Sequence, residues 1–455
     1  MKKVGVWIIL YYLRFLAGVA LRQHRPTVIG ITGSVGKSSA RKAIYLILNE
    51  YYPTKTIEEG NSETGIPLGI LGLQTHTYTF LDWVRLVVCA PFGIDYLKGA
   101  KYLVVEMGVD EPDPPKNMGF LLTVLRPDIA VFLNAFAVHS QQFDKTVPAS
   151  LIGEKRMTAV IKSIAKEKGR IINQSGCRVA IYNADNHYVK EVIQSLPFGA
   201  RVPKLLTFGT GNANDIRYGK YIVSVRGTFI ELFAGKEKLH LELTGYVLPK
   251  EYREILATAV LVGRSVGLDF EQMRIALEKN FRLPPGRASI LPGINGSLIL
   301  DSSYNASRAS ITAFLHLAQE LKKQEKRPLV FVFGDMRELG VEAKTEHQLV
   351  TEMLPKTVDY LVCVGPLTKK YVLPYLKSQI TDIRWFENSR QAGAYLKEHL
   401  PEKSLVLVKG SQNTIFLEEA VKYLLANQSD EENLCRQSAF WLNEKRKYEL
   451  TKTSS

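Results

Sequence analysis

Apolar and polar positions along the chain fall into two successive blocks, each alternating short β-branched runs with stretches of helical period. In the first block, Thr27-Val28-Ile29 leads into Gly30-Ile31-Thr32-Gly33-Ser34-Val35-Gly36-Lys37-Ser38-Ser39, after which Ala40, Ala43, Ile44 and Ile47 recur at helical spacing. That order predicts strand, glycine-rich loop and helix. Apolar runs at 102–105 and 129–133 predict further strands, ending in Glu106-Met107-Gly108 and in Asn134. Residues 222–243 alternate with period two, and residues 252–266 return to helical period. The breaker Leu283-Pro284-Pro285-Gly286-Arg287 closes the block.

Beyond it the alternation restarts, with apolar runs at 297–300, 329–333, 360–364 and 405–408. These end in Asp301-Ser302-Ser303, Gly334-Asp335-Met336, Gly365-Pro366 and Lys409-Gly410-Ser411. Open parallel sheets place their ligands at the carboxyl ends of strands, so each run delivers a polar residue to the expected rim. The chain therefore reads as an apolar helix at 1–26, a central domain at 27–285, a second α/β domain at 286–426 and a polar tail at 427–455. Phe440 and Trp441 are docking points on that tail, and its last dozen residues are expected to fray. No internal repeat or low-complexity tract interrupts the pattern.

Size and composition agree with this division. A chain of 455 residues exceeds what one core supports, and 46% hydrophobic with 23% charged residues is an ordinary globular balance. The 59 basic residues against 45 acidic ones give +14, which favours anionic partners. Without an arginine-rich tract or an aromatic RNA-reading motif, nucleic acid is not among those expected. Cys89, Cys177, Cys363 and Cys435 lack metal or disulfide spacing, which suits a reducing cytoplasm.

The N-terminal stretch at 4–21 is nearly all apolar but holds Arg14, with Lys2 and Lys3 before it and Arg22, His24 and Arg25 after. It sits at the lower length limit for a spanning helix and carries a charge near its middle. Two readings stay open: a peripheral membrane contact at the inner face, or a helix packed on the protein itself.

The glycine-rich segment is a phosphate loop. Its glycines remove the Cβ atoms that would block close approach, and the helix start aims N–H groups at phosphate oxygens. Lys37 would reach the β- and γ-phosphates and Ser38 would ligate Mg²⁺, with Thr32, Gly33, Ser34, Val35, Gly36 and Ser39 completing the cradle. Five residues separate Gly30 from Gly36, and two separate Gly33 from Gly36, where the strict pattern has four. Glu106, at a strand end, is a metal-ligand candidate.

These segments, taken in order, resemble the Mur ligases of cell-wall biosynthesis over about residues 27–425. The carrying motifs are Thr32 to Ser38, Asn61 to Pro67, Glu106-Met107-Gly108, Asn134 with His139, and Asn183-Ala184-Asp185. They continue with Gly286-Arg287, Asp301-Ser302-Ser303-Tyr304-Asn305-Ala306, Gly334 to Gly340 with Glu346-His347, and Lys409-Gly410-Ser411. The resemblance implies an α/β fold: a P-loop Mur ligase central domain followed by a Rossmann-like α/β C-terminal ligase domain. The spelling of the tyrosine-asparagine and Gly-Asp-Met segments is similar to the branch that adds a D-alanyl-D-alanine dipeptide.

The implied activity is cytoplasmic, ATP- and Mg²⁺-dependent amide-bond formation through an acyl phosphate. It joins a carboxylate-bearing precursor, a UDP- or lipid-linked muramoyl peptide, to an amino acid or dipeptide. The resemblance assigns Lys37, Glu106, His139 and Lys155 as catalytic. Of these Glu106, His139 and Lys155, with Ser38, hold metal, and Lys155 matches a lysine that the family carbamylates. Arg287, Asp301 and Asn305 are assigned to ATP, with Asp301 on the ribose.

Departures keep alternatives open. Family members carry about a hundred residues ahead of the loop, where this sequence has under thirty; Ser302 replaces a second acid, and Gln412 stands where arginine is usual. A Mur-type ligase of another pathway, making poly-γ-glutamate or a cyanophycin-like polymer, is one alternative. A non-catalytic P-loop interaction protein is the other.

Overall fold

The computed structural model describes residues 2–448 except 59, 76–78, 138–141, 196–201, 377–378, 381 and 412–413; for residues 2–5 and 341 it describes the backbone alone. The chain forms two compact units. One comprises Met1–Lys220, Glu231–Leu241 and Arg253–Phe281, the other Tyr221–Ile230, Glu242–Tyr252 and Arg282–Ser455.

The first sheet is built from β1 (Thr27–Thr32), β2 (Thr54–Thr56), β3 (Tyr102–Glu106), β4 (Ile129–Phe132), β5 (Val179–Asn183), β6 (Lys204–Gly209), β7 (Ile216–Ser224), β8 (Gly227–Ala234) and β9 (Glu237–Thr244). Its order is β2-β3-β1-β4-β5-β6-β7-β8-β9, with parallel pairing from β2 through β6 and between β6 and the start of β7. Two-residue connections join β7, β8 and β9, which only antiparallel neighbours permit. β1, β3 and β4 are buried almost throughout because helices cover both faces, so they read as continuous apolar runs rather than alternating ones.

β1 lies between β3 and β4, so the chain leaves it in one direction for β3 and returns on its other side for β4. That reversal opens a crevice at the strands' carboxyl ends. Ile31 is level with Glu106 and Thr32 with Phe132, so the phosphate loop, Glu106 and Asn134 all emerge there.

The N-terminal helix Lys2–His24 packs one side onto this unit. Leu10, Leu13, Ala17 and Ala20 are buried in the same apolar cluster as Phe120 and Leu121, which leaves Val6, Ile8, Tyr11 and Phe15 exposed.

The second sheet contains β10 (Ser289–Pro292), β11 (Leu298–Ser302), β12 (Leu329–Gly334), β13 (Tyr360–Val364), β14 (Asp382–Phe386) and β15 (Leu405–Lys409), ordered β10-β11-β15-β12-β13-β14. All neighbours are parallel except β10 with β11. Residues 427–448 are not a loose appendage. Leu434, Cys435, Arg436 and Lys445 are buried, and the short helix Ala439–Arg446 ends the described chain region with Lys445 fully enclosed. A polar composition concealed this, because the buried polar residues are paired charges.

Candidate active site

The phosphate loop turns on Gly36, whose backbone φ of 82° lies in the left-handed region that glycine adopts without steric cost. The helix Lys37–Tyr51 begins immediately afterwards, with no side chain capping its start. Its first N–H groups have no intrahelical acceptor and lie at the positive end of the helix dipole, a setting for an anion.

Asn134 braces the other arm of the loop. Its Oδ1 accepts from Ser34 N at 3.1 Å and Val35 N at 2.9 Å, while its Nδ2 donates to Val35 O at 3.1 Å and Glu254 Oε1 at 2.7 Å. Ser34 Oγ adds a bond to the Phe136 carbonyl at 3.1 Å. Thr32 Oγ1 donates to Met107 O at 2.9 Å, tying β1 to the turn after β3. Thr32, Ser34 and Asn134 thus shape the loop rather than protrude from it.

Glu106 is the meeting point. Its Oε2 accepts from Ser38 Oγ at 2.8 Å, its Oε1 accepts from Asn61 Nδ2 at 2.9 Å, and Lys37 Nζ stands 4.0 Å away. Asn61 is held by the bond from Gly108 N to its carbonyl at 2.8 Å. A lysine, a hydroxyl and a carboxylate therefore converge beside an uncapped helix start. Ser38 and Glu106 supply hard oxygen donors, the chemistry Mg²⁺ prefers, and among the described residues no cluster of three His, Cys, Asp or Glu side chains is present. A Mg²⁺ here would take its remaining ligands from phosphate and water, its usual habit. His139 lies outside the described residues, as does Gln412.

Lys155 requires a correction. It is exposed in the first turn of the helix Gly153–Asn173, whereas the lysine enclosed near Glu106 is Lys168. Thirteen positions separate the two, which is about 20 Å along a helix. Lys168 is 3% exposed and donates to Val109 O at 3.3 Å. Burial, followed by repulsion from Lys37, pulls its ammonium down to about 7, against the opposing pull of Asp110, Glu106 and Glu167. At neutral pH an appreciable fraction is free amine. One sequence signal marks it: Ile164, Lys168 and Ile171 share the helix's buried stripe, where a lysine is out of place.

In the second unit Lys409 is the corresponding buried amine. It donates to Ser302 Oγ at 3.0 Å and Asn305 O at 2.9 Å, and burial, then the nearby Arg287, lowers it to about 7. Arg287 lies over the Tyr304 ring, 4.4 Å from its centroid, and Asn305 is exposed. Asp301 differs from expectation. It is fully buried, its Oδ1 accepts from Ser303 N at 3.0 Å, and Oδ2 has no hydrogen-bond partner. The inward turn keeps its carboxylate from facing a ribose at the surface, and burial raises it to about 6.

The Gly334 to Gly340 motif and its Glu346-His347 companion brace the rim of this unit. Asp335 accepts from Leu367 N at 3.0 Å and Thr368 N at 2.8 Å, and His347 Nε2 accepts from Met336 N at 3.1 Å. Burial holds the His347 imidazolium below its ordinary range, so the ring is the neutral acceptor that this bond requires. Glu346 accepts from Arg308 Nε at 3.0 Å, and Arg337 N donates to Ser411 Oγ at 2.9 Å.

Residues 286–412 match the family described as Mur ligase, glutamate ligase domain. Over nearly the whole chain, the sequence is 27% identical to the UDP-N-acetylmuramoyl-tripeptide–D-alanyl-D-alanine ligase of Escherichia coli, covering 90% of this chain and 79% of that one. The chain is similar to Mur ligases along most of its length. The enzyme of the same name from Bacillus subtilis is 25% identical over 91% of this chain and 79% of its own. In fold, the MurF ligase of Thermotoga maritima in complex with ADP superposes with a TM-score of 0.70 at 22% identity, covering 93% of this chain and 84% of that one. The α/β architecture of a Mur-type ligase, expected from the order of motifs, is thus borne out.

Proposed function

We propose that this Mur-type ligase forms an amide bond at the expense of ATP, with Mg²⁺, by adding a D-alanyl-D-alanine-type dipeptide to the carboxylate of a muramoyl-peptide precursor. The observation that carries the reading is the convergence of Lys37, Ser38 and Glu106 on one point at the uncapped helix start. Relatives named for that dipeptide ligation, at similar identity over most of the chain, support the choice of substrates.

The loop amides and Lys37 bind and orient the triphosphate, and Ser38 and Glu106 are the residues that would hold Mg²⁺. Bound there, the metal supplies charge neutralisation for phosphoryl transfer. A substrate carboxylate oxygen attacks the γ-phosphorus and ADP leaves; the dipeptide amine then attacks the acyl-phosphate carbonyl and inorganic phosphate leaves. Lys37 stabilises the charge developing between the β- and γ-phosphates. Lys168, rather than Lys155, is the lysine suited to the family's carbamate: its uncharged amine can add to CO₂, releasing one proton and leaving an anion where the neutral amine stood.

The test supplies ATP, Mg²⁺ and candidate donors with D-alanyl-D-alanine or single amino acids, following ADP release and product mass. The reading requires a new amide of dipeptide mass on a muramoyl peptide. Products formed only with glutamate or arginine would instead support a polymer-forming ligase, and nucleotide binding without any product would support a non-catalytic P-loop protein.

A further inference from the structure

The first unit carries an apolar surface that neither the core nor the phosphate site uses. On the helix Lys2–His24 it consists of Ile8, Tyr11 and Phe15, 50–64% exposed and spaced three and four apart along one face. The helix Phe80–Cys89 adds a second stripe, with Leu81, Val84 and Val88 exposed at the same kind of spacing, and Phe92 follows at 85% exposure. The two helices adjoin, with Tyr12 Oη donating to the Val87 carbonyl at 3.1 Å, and His24 Nε2 contacts Ile94 O at 3.1 Å in the segment that follows the second. Scattered apolar residues are normal on a soluble surface, but two stripes at helical spacing on touching helices are not scattered.

The charge around this surface is one-sided. Residues 1–25 hold Lys2, Lys3, Arg14, Arg22 and Arg25 without a single acid, and residues 79–101 hold Arg85, Lys98 and Lys101 against Asp82 and Asp95. Asp82 is buried and paired with Arg85 at 2.8 Å, so Asp95 is the exposed acid of the set. Arg22, Arg25 and Lys98 are exposed near the junction where Gln23 Nε2 donates to Asp95 Oδ1 at 3.0 Å.

We infer that this two-helix face docks on a bilayer of anionic phospholipid. Both helices lie in the interface, with apolar stripes among the upper acyl chains and the basic groups on lipid phosphates. Residues Val6–His24 are long and apolar enough to cross a membrane. Leu10, Leu13, Ala17 and Ala20, however, are committed to the protein core, which a helix lying along the surface satisfies and a spanning one would have to abandon. A second copy is the poorer occupant, because self-apposition of one face brings its own positive charge against itself.

The test is flotation of the full chain with phosphatidylglycerol–phosphatidylcholine vesicles and with phosphatidylcholine vesicles alone. Wild type should partition onto the anionic vesicles and lose at least about tenfold in partitioning on pure phosphatidylcholine. A triple Leu81→Ser, Val88→Ser, Phe92→Ser variant and a triple Arg22→Glu, Arg25→Glu, Lys98→Glu variant should each lose roughly tenfold or more on anionic vesicles. All six side chains are exposed or partly so, and both variants should keep the wild-type melting temperature and vesicle-free ADP release. Wild type that stays in solution, or equal binding to both lipids, would overturn the inference. So would unchanged variants, or a concentration-dependent dimer that the serine variant abolishes. Loss of vesicle binding with turnover intact separates this surface from the ligase reading.

Discussion

Replacing Arg436 by methionine tests whether the C-terminal segment holds the second unit together. Arg436 is 6% exposed and forks onto Glu418, Nε to Oε1 at 2.7 Å and Nη2 to Oε2 at 2.5 Å. It also donates to Tyr304 O at 2.9 Å and Ser303 O at 3.1 Å, fixing the loop that follows β11. Lys445 completes the cluster, 2.9 Å from Glu418 and 2.6 Å from Glu419. Burial alone would raise the Glu418 carboxyl, but the Arg436 and Lys445 cations outweigh it and hold the group below its usual range. Removing one partner of a buried pair costs about 3–5 kcal/mol, since a carboxylate without its fork stays in the interior. At about 2–4 °C per kcal/mol, the unit's melting temperature should fall by roughly 6–20 °C. A double variant, Arg436→Met with Glu418→Met, removes the stranded charge and should recover more than half the loss, with Lys445 still paired to Glu419. Fluorescence of Trp441, packed against Phe416 at 6.3 Å, together with urea unfolding, reads the change locally. A single variant within about 1 kcal/mol of wild type, or a double variant no better than the single, refutes the reasoning. Glu418's lowered pKa sets the pH dependence. Its contribution is present above the unfolded carboxyl value and is lost as pH falls through the folded one.

Four further outcomes follow from the sites. Lys37→Ala should abolish ADP formation with every acceptor, and retained turnover would remove the loop from the chemistry. Lys155→Ala should leave turnover unchanged while Lys168→Met lowers kcat by about a hundredfold or more, as expected for a group acting beside the phosphates; the reverse pattern would restore Lys155. In bicarbonate-free buffer, the lowered Lys168 value of about 7 makes the folded state hold fewer protons than the unfolded between there and 10.5, so stability rises with pH across that window and Lys168→Met flattens the rise. Asp301 behaves oppositely: its carboxyl moves from 3.8 to about 6 on folding, so stability falls as pH rises between those values. Asp301→Asn should gain up to about 3 kcal/mol over wild type above pH 7 and nothing near pH 4, measured by urea unfolding; a pH-independent difference would reject it.

How much of this was readable beforehand depends on what each residue packs against. β1, β3, β4, β11, β12, β13 and β15 lie inside their sheets and announce themselves as apolar runs. β2 and β14 do not, because edge strands such as Asp382–Phe386 keep half their residues in water and lose the pattern. The phosphate loop and Glu106 were legible because their chemistry fixes residue type and spacing. Asn134's partnership with Glu254, 120 residues away, was not, since nothing local records it.

Lys168 and Asp301 show the same limit from opposite sides. Motif order named Asp301 but could not say which way its carboxylate faces, and the Asx-type bond to Ser303 N turns it inward. Periodicity had the information on Lys168, a lysine on the buried stripe of an otherwise amphipathic helix, yet the motif match pointed to a solvated lysine thirteen positions earlier. A buried cation is costly unless paired or discharged, so an unexplained lysine on an apolar stripe is itself evidence of chemistry. Applied first, that energetic test selects Lys168 within a helix where Lys155, Lys162 and Lys166 all sit at less enclosed positions. It also selects Lys409, at the end of β15 in the second unit, by the same reasoning. Lys168 in the first unit and Lys409 in the second are thus enclosed amines without a carboxylate partner among the described residues, each lowered to about 7 by burial and a neighbouring cation, where a phosphate-handling enzyme gains from a charge that responds to what binds beside it.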